Sequence, residues 1–364
     1  IKAVAAMSSW TNFYTPIYGN NTKRVYWDGL LWFGSIVGTG SPEAAKMKET
    51  YEAIRNNDWA KIHDYTDIRS PIFLFDRYAA HKPAILLSQN MSDILFPVTD
   101  VWHFFDHLQT PKKMNLQPGI HGTAEINDMF TPGKDKVWDD AIEWFERWLG
   151  PNPPDHFQES SEVQVNLDDK SVYEAATTAG LIKDTHRYYL NSSRNERFGE
   201  LTSEAPATGD HRIKSGKDSG IVSGLPVVGP LLNQVQKFRP KIKSKNINTD
   251  QAAIFELMVP DDDFRLIGIP KVKLNVRAEG AQALAIVHLF RVERGDKWKL
   301  ISMTPYTLRD FNASEVQTIE FDLYGAFESF HAGDKLVMAI DTYDPEFQIP
   351  SNDFQIDIET AGES

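Results

Sequence analysis

Cysteine is absent from all 364 residues, which excludes disulfides, thiolate zinc sites and a cysteine nucleophile together. Also missing is any run of the ~18 apolar residues that a membrane-spanning helix requires. The nearest stretches, Gly29 to Gly40 and Gly220 to Leu232, are short and broken by Gly or Pro. Positive charge is not in excess. The formal net charge is −13 and the pI about 5.3, so binding a phosphate backbone is not expected as the main task. The opening IKAVAAMSSW has neither a charged n-region nor a small-residue cleavage site, so no signal peptide is read there. It lacks an initiator Met as well, and the sequence is read as a mature product or a fragment.

What is present is enough apolar material, 41% hydrophobic and 12% aromatic, to bury large cores. The length suggests two or three domains. Residues 1–150 read as α/β. Ile1 to Met7 and Pro83 to Leu87 are continuous apolar runs of strand length, and Met114 to Gln117 is a weaker third strand. Between them come helical stretches from about Pro42 to Ile62, near Pro71 to Ala79, and over Pro97 to Leu108, the last with Val98, Val101, Trp102, Phe105 and Leu108 on helical spacing. A last amphipathic helix covers Asp135 to Leu149, with Trp138, Ala141, Ile142, Phe145, Trp148 and Leu149 on one face. Apolar strands alternating with helices signal a parallel sheet covered on both faces.

Gly150 to Pro154 reads as a linker, and beyond it the pattern changes. Val163, Val165 and Leu167 alternate, as do Val272, Leu274 and Val276, then Ile319, Phe321 and Leu323, with turns such as Arg294-Gly295-Asp296 between strands. This predicts a β-sandwich over 156–360. Lys214 to Lys245, polar, Gly-rich and basic, reads as a long loop over it.

Three sets of residues bear on chemistry. His121 sits in a Gly-flanked turn just past the third strand, free to project into a cleft at the sheet's carboxyl edge, where parallel α/β sheets place their sites. Taken alone, such a residue more simply bonds to nearby backbone. Asp93 holds the matching place after the second strand and could fix the tautomer of that histidine; its alternative is to cap the following helix. Asp100 is a second acid in this stretch, but it falls inside the helix on the solvent side. An acid followed by a histidine past successive strands is the order of an α/β-hydrolase triad, but no G-x-S-x-G elbow precedes them. Ser8 and Ser9 end a strand with no flanking glycine to permit a strained turn. His103 and His107 have the spacing of metal ligands on a helix, but without the H-E-x-x-H glutamate, and Asp261 to Asp263 lacks the spacing of a calcium loop. No metal is expected. Tyr26, Trp27, Trp32 and Phe33 form an aromatic group that serves equally as core or as the wall of an apolar pocket.

In this order the residues resemble the Xaa-Pro dipeptidyl peptidases and their acyl-esterase relatives, including cocaine-esterase-like hydrolases. Ala6 to Tyr14 (AMSSWTNFY) is similar to the segment after that family's nucleophile elbow. Ala84 to Leu87 leading to Asp93 resembles the triad-acid strand, and Gly119-Ile120-His121 the triad-histidine turn. Trp144 to Leu149 looks like the last helix of the catalytic domain. Ala253 to Glu256 and Phe330 to Leu336 are similar to parts of the C-terminal jelly roll. Two departures stand out: Gln89-Asn90-Met91-Ser92 replaces the usual Gly-containing turn before the acid, and the half that bears the nucleophile is absent.

The resemblance implies the C-terminal part of an α/β-hydrolase domain over 1–150, with a helical cap at about 20–80, followed by a jelly-roll β-sandwich over 156–360. It implies a serine hydrolase that cleaves a small peptide or ester, Xaa-Pro dipeptides included, without a cofactor. His121 would be the base and Asp93 the acid that orients it, with Trp10, Trp27 and Trp32 against the substrate. The serine would come from the N-terminal half of the same precursor, as a separate segment or chain. Neither nucleic acid nor a membrane is an expected partner, while self-association and compartment are left open. The alternatives are a carbohydrate- or partner-binding jelly roll, or a hydrolase relative that has lost its serine.

Overall fold

The computed structural model describes residues 1–151, 162–192, 197–206, 209–214, 217–223, 242–259, 264–313 and 315–360. They fall into two compact units, one of residues 1–16 and 55–183 and the other of 17–54 and 184–364. The chain is α/β in the first and chiefly β-sandwich in the second.

The first unit is built on a sheet of β1 (Ala3–Met7), β2 (Ala84–Asn90), β3 (Lys112–Gln117), β4 (Val163–Asn166) and β5 (Val172–Ala175), hydrogen-bonded in that order. The first four strands are parallel and β5 returns antiparallel. All seven residues of β2 are buried, as expected of a central strand covered on both faces. Helix α6 (Val98–His107) buries Val98, Val101, Trp102, Phe104 and Phe105, in keeping with its predicted spacing. Helix α8 (Val137–Leu149) packs Ala141 and Trp144 on Ala84 and Leu86, and the alanines Ala3 and Ala5 of β1 leave room for the indole.

The face of α8 differs from the predicted one. Val137, Ala141 and Trp144 point inward, while Trp138 and Ile142 are 45% and 56% exposed. The i, i+4, i+7 set that meets the sheet is the less apolar one, and periodicity ranks stripes by hydrophobicity rather than by what lies opposite. The strand containing Val163 and Val165 also differs. It joins the parallel sheet beside β3 rather than opening the sandwich, because alternation of period two is the same whichever sheet a strand joins.

The second unit holds β6 (Tyr189–Asn191), β7 (Gly199–Thr202), β8 (Asp210–Lys214), β9 (Ala252–Met258), β10 (Arg265–Gly268), β11 (Lys271–Glu279), β12 (Gln282–Glu293), β13 (Lys297–Arg309), β14 (Gln317–Asp322), β15 (Ala326–Ser329), β16 (Lys335–Asp341) and β17 (Gln355–Glu359). They form a six-stranded sheet, β13-β12-β16-β9-β7-β6, a four-stranded sheet, β14-β11-β17-β8, and the pair β10-β15. Among the described residues pairing in this unit is antiparallel except between β7 and β9. Strand β11 alternates buried and outward residues, the sign of a sheet with one face on the core.

Residues 17–54, expected within a cap of the hydrolase domain, pack with this second unit. They carry helices α2 (Val25–Val37) and α3 (Pro42–Asn56). Arg24 Nη2 donates to Tyr324 Oη, Val25 N–H to the Glu346 carbonyl (3.1 Å), and Arg309 Nη2 to Tyr18 Oη (2.9 Å). Thr22 and Thr307 share a hydroxyl bond of 2.8 Å. Such partners are close to 300 positions away, and no local pattern encodes them. Asp261 to Asp263, Asn152 to Pro154 of the linker, and most of the basic loop lie outside the described residues.

Candidate active site

His121 and Asp93 meet at the carboxyl ends of β2 and β3. Beyond β3 the chain turns through Gly119 (φ 122°) and Gly122 (φ 72°), a left-handed backbone that glycine adopts at little cost. A Cβ on Gly119 would also come 2.7 Å from the Thr123 side chain. The turn closes with Thr123 N–H on the Ile120 carbonyl (3.0 Å) and joins the loop after β2 through Ser92 N–H on the Gly119 carbonyl (2.8 Å). It delivers His121 to the start of helix α7 (Thr123–Phe130).

Asp93 is fully buried and uses both oxygens. Oδ1 accepts the N–H groups of Leu95 (2.9 Å) and Phe96 (3.1 Å), so the capping role is real, although it closes the turn ahead of α6 rather than the helix itself. Oδ2 accepts Gln89 Nε2 (3.1 Å) and His121 Nδ1 (2.9 Å). Since a carboxylate only accepts, Nδ1 carries the proton, and in the neutral ring the lone pair lies on Nε2. Burial of the imidazole opposes protonation, but the Asp93 hydrogen bond and the charges of Asp93 and Glu125 outweigh it. The pKa of His121 is raised above the ordinary histidine value.

Gln89 replaces the glycine turn expected before the acid. Its Nε2 also donates to the Phe96 carbonyl (2.7 Å) and its Oε1 accepts Ser9 N–H (3.2 Å), so one amide fixes Asp93, its turn and the end of β1. Sequence reasoning noted Gln89 and Asn90 only as a departure before the acid, gave them no role, and did not single out Glu125. The available signal was a polar Gln-Asn pair closing an otherwise apolar strand, where buried amides need partners.

Of the three candidate substrate residues, Trp10 belongs to the same unit. Its ring lies 5.2 Å from Phe96, which in turn meets His121 edge-on at 5.1 Å. Trp10 also lines a cavity of about 110 Å³ with Val4, Ala6, Leu87, Gln89 and Phe104, on the α6 side of the sheet; neither His121 nor Asp93 reaches it. Trp27 and Trp32 ride on α2 in the second unit, Trp32 being 51% exposed. Thr15 Oγ1 donates to Asp100 (3.2 Å), and the His107 ring bonds to the His103 carbonyl (2.7 Å).

This architecture recurs in solved structures. A CocE/NonD family hydrolase from Staphylococcus aureus matches with a TM-score of 0.70 at 11% identity, over 100% of this chain and 66% of its own length. An aminopeptidase from a marine-sediment Thaumarchaeota archaeon gives 0.67 at 10% identity, over 100% and 70%. An α-amino acid ester hydrolase gives 0.70 at 11% identity, over 99% and 71%. The chain thus spans just under two thirds of the staphylococcal protein. No curated protein sequence matches it. Residues 156–362, more than half of the chain, match the family described as the X-Pro dipeptidyl-peptidase C-terminal non-catalytic domain. The strand alternation, the sandwich and this match agree: the chain belongs to the X-Pro dipeptidyl-peptidase C-terminal domain family.

Proposed function

We propose that the chain supplies the acid and base of a serine hydrolase, with the nucleophile coming from residues outside it. The observation that carries this reading is the Asp93–His121 pair of 2.9 Å at the ends of adjacent parallel strands. His121 takes the serine proton at Nε2 as the hydroxyl attacks the acyl carbon, then returns it to the leaving amine or alcohol. In the second half it activates water against the acyl-enzyme. Asp93 holds the tautomer and stabilises the imidazolium. The substrate is a small peptide or ester, Xaa-Pro dipeptides included, with Trp10 near its acyl side, and no cofactor takes part.

Strand β1 supports a companion segment. Among the described residues it pairs with β2 alone, through residues such as Lys2 and Ser8. In a parallel ladder the backbone groups of the alternate residues Ala3, Ala5 and Met7 then face the open edge. An apolar parallel edge is a pairing template, and the N-terminal half of the same precursor would complete it and bring the serine.

The test is co-expression with the upstream coding segment, assayed on a chromogenic Xaa-Pro amide and an aryl ester. The expected result is activity for the pair, none for the chain alone, and loss with His121→Ala. Activity unchanged by His121→Ala would overturn the reading.

The non-catalytic description of the matched family favours a second reading for the sandwich, as a binding or structural module. A carbohydrate platform would display tryptophan, but the one tryptophan beyond residue 150, Trp298, is 9% exposed with its indole N–H on Asp296 (2.7 Å).

A further inference from the structure

Ser8, Asn90 and Glu125 come from three elements and converge on the turn that carries His121. Ser8 follows β1 with its backbone in the left-handed region (φ 42°), a conformation that a non-glycine residue keeps only when its surroundings hold it there. Its hydroxyl donates to Glu125 Oε1 (2.7 Å) and accepts from Asn90 Nδ2 (2.7 Å) and Gly122 N–H (3.2 Å). Asn90, the last residue of β2, also donates to Glu125 Oε2 (2.9 Å), and its Oδ1 accepts Ala124 N–H (3.1 Å).

The one donor and two acceptor positions of the Ser8 hydroxyl are therefore all engaged. A hydroxyl so tied is a clamp and not a nucleophile awaiting substrate. Every bond of the cluster that reaches the third element ends on residue 122, 124 or 125, immediately after His121. Two of them satisfy N–H groups at the start of α7 that the helix itself leaves unpaired. The buried and half-buried polar groups are fully interlocked, which is the condition under which such a network rigidifies its surroundings.

We propose that Ser8, Asn90 and Glu125 form a positioning cluster for His121, pinning the turn that bears the imidazole and holding a second carboxylate charge beside it. This rests on the reading of His121 as the proton carrier. Asp93 touches the ring and orients it, whereas Glu125 acts through the turn and through space. The two carboxylates are the charged groups that hold the His121 pKa up against burial. During acyl transfer the ring becomes an imidazolium, and a fixed negative charge nearby stabilises that state without competing for Nδ1.

The experiment is an NMR titration of the His121 ring in the full chain, with variants Glu125→Gln, Ser8→Ala and Asp93→Asn. Glu125→Gln should lower the His121 pKa, and Ser8→Ala should speed amide exchange at Gly122. Asp93→Asn should also lower the pKa, by removing the bonded partner. If Asp93→Asn lowers it but Glu125→Gln leaves it at the wild-type value, the cluster has no positioning role while the Asp93–His121 pair stands. If Asp93→Asn leaves it unchanged, the reading of the pair fails instead. Should a variant not fold, the wild-type chain decides. The amides of Gly122 and Ala124, which the cluster bonds, should then be protected from exchange, and fast exchange at both would overturn the proposal.

Discussion

Asp93 holds His121 with the oxygen that it does not use to close its own turn: Oδ1 takes two backbone N–H groups, while Oδ2 takes Gln89 and the imidazole. The backbone bonds lock the carboxylate plane, so the second oxygen presents a fixed acceptor to Nδ1. Orientation of the imidazole thus depends on a turn that the same residue builds.

Asp93→Asn should separate these roles. The amide oxygen can keep the turn bonds, but the amide nitrogen then faces Nδ1 and favours the other tautomer. With the nucleophile segment present, kcat should fall by on the order of 10⁴-fold with little change in KM. A fall of less than tenfold in steady-state kinetics would remove Asp93 from the reaction.

The open edge of β1 can be tested without disturbing its bonds to β2. The backbone N–H of Ala5 faces away from β2, and proline is tolerated at such edge positions. Ala5→Pro should leave the circular dichroism spectrum of the chain unchanged and abolish co-purification with the upstream segment. Undiminished co-purification would show that the segment docks elsewhere.

Arg24 is buried in the second unit against Tyr324 and Phe347, and its charge lowers the pKa of the Glu346 carboxyl. Burial first, then the charge of Asp344, push the Glu346 carboxyl up to about 7 despite Arg24. Arg24→Met should therefore destabilise strongly in urea unfolding at pH 8, and less at pH 5, where Glu346 takes up a proton. An equal cost at both values would show that the Arg24 charge does not act on Glu346.

Asp341 gives the pH dependence of the sandwich a definite sign. Burial raises its pKa to about 7, although Ser219 and the N–H groups of Thr342 and Tyr343 bond to it. The folded chain then holds a proton that the unfolded chain releases near pH 4. This contribution is greatest below about pH 4, declines as pH rises, and is lost above about pH 7. His121, also raised, loses its own contribution as pH rises through its folded value. Asp341→Asn keeps an acceptor for the two N–H groups and should flatten the thermal-unfolding profile between pH 4 and 7. A profile parallel to that of wild type would disprove the assignment.

Much of this protein was legible in order along the chain. Continuous apolar runs marked β1 and β2, the α6 spacing named its buried residues, and alternation beyond residue 250 announced the sandwich. The Gly-flanked turn at His121 and the acid at Asp93 were visible too, because left-handed turns and strand ends leave local marks.

Tertiary structure decided what local marks cannot carry. Which stripe of α8 faces the sheet depends on the alanines of β1 opposite it, and whether Val163 starts a sandwich or extends the parallel sheet depends on Met114 and Leu116 beside it. The partners of Arg24 and Tyr18 lie in strands and loops close to 300 residues on. Ser8 was dismissed for want of glycines, yet it adopts a positive φ because Asn90, Glu125 and Gly122 offset the strain. By itself the sequence determined the periodicities, the breaks and the residue types available for chemistry. Only folding decided which polar side chains are buried together, since the energy of such a cluster lies in bonds between residues that are neighbours in space and not along the chain.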